Sequence, residues 1–187
     1  MAILDIVLHP HPSLYKPAET VTTFDEKLHT LLDDMAETMY AANGIGLAAN
    51  QVDVLQRVIL IDPAPVDEEP QLLELINPKI IHKEGQITWE EGCLSFPGVY
   101  EKVKRANACT VQYQDRHGNP QEISGEELLA VVLQHEIDHI DGICFTQRMG
   151  PTKRRMLLKE FARLQREKLL ESEDDAEDNA PNNPDAS

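Results

Sequence analysis

The run LLAVVLQHEIDHI, residues 128–140, is the segment that the rest of this chain must be built around. A four-residue step places two side chains one above the other on an α-helix, so His135 and His139 leave the same face of it. Leu128, Leu129, Val131, Val132, Leu133 and Ile137 make the remaining surface almost continuously apolar, and a helix of that kind is buried on most sides. Ser124, with Glu127 three residues later, predicts a capping box at its start, and Gly142 predicts its stop.

The surrounding segments supply the cover. Leu28, Leu31, Leu32, Met35 and Met39 recur at three- and four-residue steps before Gly44, which predicts an amphipathic helix over roughly 25–42. RVILID (57–62) and LLELINPKII (72–81) read as short buried strands. ACTVQYQD (108–115) alternates apolar and polar residues and ends at RHGNP, which predicts a hairpin into QEIS. A last helix begins near Pro151, with Met156, Leu157, Phe161, Leu164 and Leu169 on its apolar side. The expected class is α+β: antiparallel β-sheets packed around a central helix bearing the HExxH pattern, with one helix in the N-terminal half and one at the C-terminus.

A chain of 187 residues suits one domain, expected over 1–170. Residues 171–187 hold seven acidic side chains, no basic one, and otherwise Asn, Pro, Ala and Ser in the main, so an acidic disordered tail is expected there. The formal charge is −16, of which −9 remains once that tail is set aside. Binding to nucleic acid or anionic lipid relies on clustered Lys and Arg, and the one basic cluster, Lys153-Arg154-Arg155, reads as a solvated helix start. No direct nucleic-acid binding is predicted. No apolar run is long enough for a bilayer, and MAILDIVLHP lacks a basic region followed by a long apolar stretch, so a cytoplasmic protein without a membrane partner is expected. The odd count of Cys93, Cys109 and Cys144 points to free thiols or a metal ligand.

His135-Glu136-Ile137-Asp138-His139 brings two imidazoles to one metal and sets Glu136 beside it, where a carboxylate can accept a proton from water. Catalytic sites of this kind usually take three protein ligands and leave a position open. The pattern H-E-x-x-H-x-x-G-x-x-H fits at Gly142 but ends here on Phe145, which cannot ligate. Glu160, 21 residues beyond His139, could serve as the third ligand of a gluzincin-like zinc endopeptidase. Cys93 in EGCLSFP offers a thiolate, suited to iron or zinc. A non-catalytic metal-binding domain is a third possibility, one that has no need of Glu136.

GIGLAANQ (44–51), EGCLSFP (91–97 with Glu91 and Cys93) and QHEIDHIDG (134–142) occur in an order and spacing that resemble the bacterial type of peptide deformylase, over roughly residues 1–170. That resemblance implies Cys93, His135 and His139 as ligands of one divalent metal ion, Fe(II) natively, with zinc, nickel or cobalt able to replace it. It implies hydrolysis of the N-formyl group from the N-terminal formylmethionine of newly made polypeptides, releasing formate, with nascent chains as substrates and a transient encounter with the ribosome. Glu136 would be the general base, Gln51 the side-chain donor to the reacting carbonyl and Leu94 the backbone donor. Gly46 would bind substrate backbone, and Ile45, Trp89, Leu128, Val131 and Val132 would hold the Met side chain. Glu91 and Arg105 would pair to orient the cysteine loop. The chain departs from the family pattern at Val103-Lys104-Arg105, where V-P-R is common, and at Tyr100, where some members carry an Arg that contacts peptide backbone.

Overall fold

The computed structural model describes residues 2–64 and 68–178, the last six of them as backbone alone. Its elements are α1 (Glu26–Ala41), β1 (Gly46–Ala48), β2 (Val58–Ile61), β3 (Leu73–Glu84), β4 (Ile87–Glu91), β5 (Glu101–Arg105), β6 (Ala108–Gln114), β7 (Pro120–Glu126), α2 (Glu127–Ile140) and α3 (Pro151–Asp178). Five strands form one antiparallel sheet in the order β1-β2-β3-β6-β7, and β4 pairs with β5 separately. The α+β class expected from the sequence is the class observed.

Strand β2 explains the layering. All four of its residues are buried, and alternation sends them to opposite faces: Val58 and Leu60 join Leu28, Leu32, Met35 and Met39 of α1, while Ile59 and Ile61 join Ala130, Leu133, Ile137 and Ile140 of α2. The sheet is thus sandwiched, with α1 on one face and α2 on the other. Asp25 caps α1 by accepting from Lys27 N and Leu28 N, each at 3.1 Å. A third cluster, Phe96, Val99, Val103, Phe145, Leu157 and Phe161, joins the β4–β5 region to α3. Every residue of α2 from Ala130 to Ile140 is buried.

Three expectations change. Ser124 does not cap α2: the β6–β7 ladder continues to Ala108↔Glu126, so Ser124 is a strand residue whose Oγ lies 2.9 Å from Thr110 Oγ1, and Glu126 precedes the helix without a side-chain cap. The apolar side of α3 is narrower than its sequence pattern, because the core ends near Leu164; Leu157 and Phe161 are buried while Met156 and Leu169 are 66% and 63% exposed. The backbone of 171–178, expected to be disordered, continues α3; residues 179–187 lie outside the described residues. Leu, Lys and Glu are strong helix formers, and Arg163 reaches Glu160 and Glu167 at 2.6 and 2.5 Å along the exposed face, which carries the helix past its last packed turn. No helix among the described residues is long and apolar enough to cross a membrane.

Gly142 closes α2 in a Schellman arrangement: its N–H donates to His139 O at 3.0 Å and that of Ile143 to Asp138 O at 2.8 Å. Its φ is +76°, and a Cβ there would lie 2.9 Å from the Lys16 carbonyl carbon. Gly142→Ala is expected to lower stability by at least about 1–2 kcal/mol, the cost of the left-handed conformation before the clash is added. The check is the urea midpoint at unchanged m-value.

Candidate active site

Helix α2 is pinned at the point where its histidines begin. Gln134 donates to Ala106 O at 2.9 Å and accepts from Ala106 N at 3.0 Å, locking the helix to the β5–β6 connection. One residue on, His135 Nδ1 meets Glu91 Oε2 at 2.8 Å, which leaves Nε2 on the other side of the ring. The rings of His135 and His139 stand 4.9 Å apart. Cys93, on the loop that joins β4 to β5, brings its Sγ to 3.2 Å from His139 Nε2.

The Cys93 loop is held from several directions. His9 N donates to Ser95 O at 3.0 Å, and Phe96 N to Cys93 O at 2.9 Å. Gln51 Nε2 lies 3.1 Å from Ser95 Oγ and 3.6 Å from Cys93 Sγ. The Gln51 amide is itself fixed, because its Oε1 accepts from Ala48 N at 2.9 Å, and its backbone carbonyl accepts from Val7 N at 2.8 Å.

Cys93, His135 and His139 are the one group among the described residues whose donor atoms converge as a metal site requires, all within 4.8 Å of one another. One thiolate and two imidazoles suit a borderline-soft divalent ion such as iron or zinc. The site also holds two buried polar atoms without a hydrogen-bond partner among the described residues, His139 Nδ1 and Glu136 Oε2. Burial pushes the Glu136 carboxyl up to about 7, against the pull of His135. Burial, with His135 beside it, lowers His139. For His135, burial acts downward too, but the hydrogen bonds to Cys93 and Glu91 raise it.

Glu91 and Arg105 form a buried fork, Nε to Oε1 at 2.7 Å and Nη2 to Oε2 at 3.0 Å. Burial opposes ionisation of Glu91, yet Arg105 and His135 hold it down to about 2. A cleft of about 550 Å³ opens over this group. Glu136, Gln51, Cys93, Leu94 and Gly46 line it, as do Ile45, Trp89, Leu128, Val131 and Val132. Leu128 and Val132 also belong to the core between α2 and the sheet, so these residues serve both. Ile45 stands at the rim, 42% exposed. Tyr100, 67% exposed, lays its ring over Gly92.

Glu160 is not brought to the site. It lies exposed on α3, paired with Arg163 at 2.6 and 3.0 Å, and stands outside the converging donors. Phe145 is buried among Phe96 and Phe161, its ring 5.9 Å from that of His135. Cys109 and Cys144 are buried core thiols, both pushed up by burial, Cys144 to about 12. Two charged residues beside the site were not singled out in the sequence: Asp138, bonded to Arg105 Nη1 at 2.5 Å, and Arg148, bonded to Asp138. The available signal was Asp138 itself, a charge inside the most apolar helix, which requires a cationic partner.

The family profile described as polypeptide deformylase matches residues 3–155. The peptide deformylase of Acidobacterium capsulatum is 48% identical over 166 residues, spanning 89% of this chain and 98% of that protein. That of Syntrophobacter fumaroxidans is 48% identical over 172 residues, spanning 92% and 99%. Among solved structures, the peptide deformylase of Legionella pneumophila superposes with a TM-score of 0.85 at 45% identity, covering 90% of this chain and 98% of that one. The Synechococcus elongatus peptide deformylase, solved in complex with actinonin, gives 0.80 at 40% identity, covering 87% of each. With the profile spanning most of the described fold and these relatives spanning nearly their whole lengths, the chain belongs to the polypeptide deformylase family, metal-dependent hydrolases that remove the N-formyl group from newly made polypeptides.

Proposed function

We propose that this cleft hydrolyses the N-terminal formamide of formylmethionyl nascent chains, with Cys93, His135 and His139 holding one divalent metal ion. The observation that carries the reading is the meeting, in one cleft, of those three donors with the unpartnered carboxylate of Glu136 and the fixed amide of Gln51. Fe(II) is the native ion on this reading, and zinc, nickel or cobalt can replace it; the mixed thiolate and imidazole set supports all four. When bound, such an ion lowers the pKa of water from about 15.7 to about 7 and polarises a carbonyl.

The remaining work falls to the chain. Glu136 takes one proton from the attacking water at its free Oε2 and delivers it to the amine nitrogen as the C–N bond breaks. Water oxygen thereby ends in formate, and the proton ends on the new N-terminus. Gln51 Nε2 and the Leu94 backbone N–H donate to the carbonyl oxygen as it gains negative charge. Glu91, braced by Arg105, holds the His135 ring in place. Ile45, Trp89, Leu128, Val131 and Val132 take the Met side chain, and Gly46 meets the substrate backbone. Residues 1–170 act as one catalytic unit, the substrates are met at the ribosome, and the work is done in the cytoplasm.

Formate release from a short formyl-Met peptide tests the reading, on protein purified without air and with its metal identified. Release that depends on the bound metal is expected; protein with one metal per chain and no release overturns the proposal. Gly46 supplies a second test, because a Cβ there would overlap the carboxyl group of Glu136, with Cγ at 3.0 Å. Gly46→Ala is expected to lower kcat by roughly 10-fold to 100-fold through displacement of the base, with metal content unchanged.

A further inference from the structure

Asp138 carries a charge that the hydrolytic chemistry does not use. It is 7% exposed and stands next to His139 in the chain, yet it lines a second cleft of about 390 Å³, not the one that contains Glu136. Its carboxylate holds two guanidinium groups. Arg105 Nη1 donates to Oδ2 at 2.5 Å, while Arg148 donates Nε to Oδ2 at 2.9 Å and Nη2 to Oδ1 at 2.5 Å. Beyond Arg105 come Glu91 and then His135 Nδ1. Two guanidinium groups and two carboxylates therefore cancel in one connected chain that ends on an imidazole.

Arg148 is the outer member, on the short turn Phe145–Arg148, with 42% of its side chain exposed against 4% for Arg105 and 3% for Glu91. We propose that Arg148 is a positioning residue for the metal centre: by neutralising and fixing Asp138 it keeps Arg105 seated on Glu91, and thereby keeps Glu91 in line with His135. The inference rests on the reading of Cys93, His135 and His139 as the ligands.

Rigidity is the reason. Arg105 spans both carboxylates, Nη1 on Asp138 and Nε with Nη2 on Glu91, and its donors share one plane, so a shift of the Asp138 carboxylate that Nη1 follows turns Nε and Nη2 on Glu91. Arg148 holds both oxygens of Asp138 and so fixes that carboxylate in place. Without it, a buried carboxylate has Arg105 as its sole cationic partner in a setting where charge is poorly solvated. The carboxylate, no longer fixed, then turns and draws the Arg105 guanidinium with it, and the brace on His135 loosens. Loss of a partner that orients a metal-binding histidine weakens metal retention by about 10–100-fold; acting on Glu91 through Asp138 and Arg105, Arg148 is expected to sit at the lower end.

The test uses the full chain loaded with Zn(II) and follows release to an excess of a chromogenic chelator. Arg148→Ala is expected to speed release about tenfold, and guanidinium at millimolar concentration to restore part of the loss by entering the open second cleft. Arg148→Lys, a point charge without a fork, is expected to fall between. Arg57→Ala, which breaks a pair with Asp141 in the same cleft, is expected to release at the wild-type rate. Wild-type release from Arg148→Ala overturns the proposal, as does acceleration that guanidinium leaves unchanged or that Arg57→Ala matches. Should Arg148→Ala not fold, Arg148→Lys decides alone, and a wild-type rate there overturns it. Zinc retained equally by wild type, Cys93→Ala and His135→Ala would instead remove the ligand reading, a result independent of Arg148.

Discussion

Replacing Glu136 with Gln is expected to reduce kcat for formate release from a formyl-Met peptide by about 10²–10⁴-fold, the range that a positioned acid–base group contributes. The substitution keeps shape and hydrogen-bonding reach and removes the capacity to take up a proton. Glu136 is buried, and its Oε2 has no hydrogen-bond partner among the described residues. In the proposed mechanism that residue both withdraws a proton from water and returns it to the departing amine, so its loss should fall on kcat, with KM and bound metal near wild type. Wild-type kcat in Glu136→Gln would place the base elsewhere and end the proposed mechanism.

Replacing Cys93 with Ala should strip the protein of metal by more than the roughly 10–100-fold that follows loss of an outer partner. A three-donor set reduced to His135 and His139 keeps only the pair on α2. Glu160→Ala is the matched control: its carboxylate lies in solvent beside Arg163, so metal per chain should not change. Metal analysis after exhaustive dialysis separates the two. Retention by Cys93→Ala together with loss from Glu160→Ala would restore the endopeptidase reading.

What could be seen in the sequence was what local periodicity determines. The two histidines of α2 needed only a four-residue step, and the helices α1 and α2 needed only their apolar stripes. The third donor was different: Cys93 and Glu160 were both open on residue chemistry, and resemblance to a family separated them before geometry did. Ser124 illustrates how tertiary pairing overrides a local signal, since the ladder to β6 claimed the residue that a capping box would have used. The α3 pattern overstated its packing because periodicity reports which residues could face a core, not where the core stops. Asp138 escaped because its partners come from β5 and from the turn after α2, and Arg148 because no local pattern turns its side chain back to α2.

Cys93 and His139 lie 46 residues apart, on opposite sides of the β5–β6–β7 segment. An ion shared between them would act on the unfolded chain as a removable staple. A permanent link across a span of that length would restrict the denatured ensemble by about 4 kcal/mol in chain-entropy terms. The midpoint of unfolding should accordingly follow free metal concentration, and a metal-starved cell would hold a population of this protein more open to proteases than its own core would suggest.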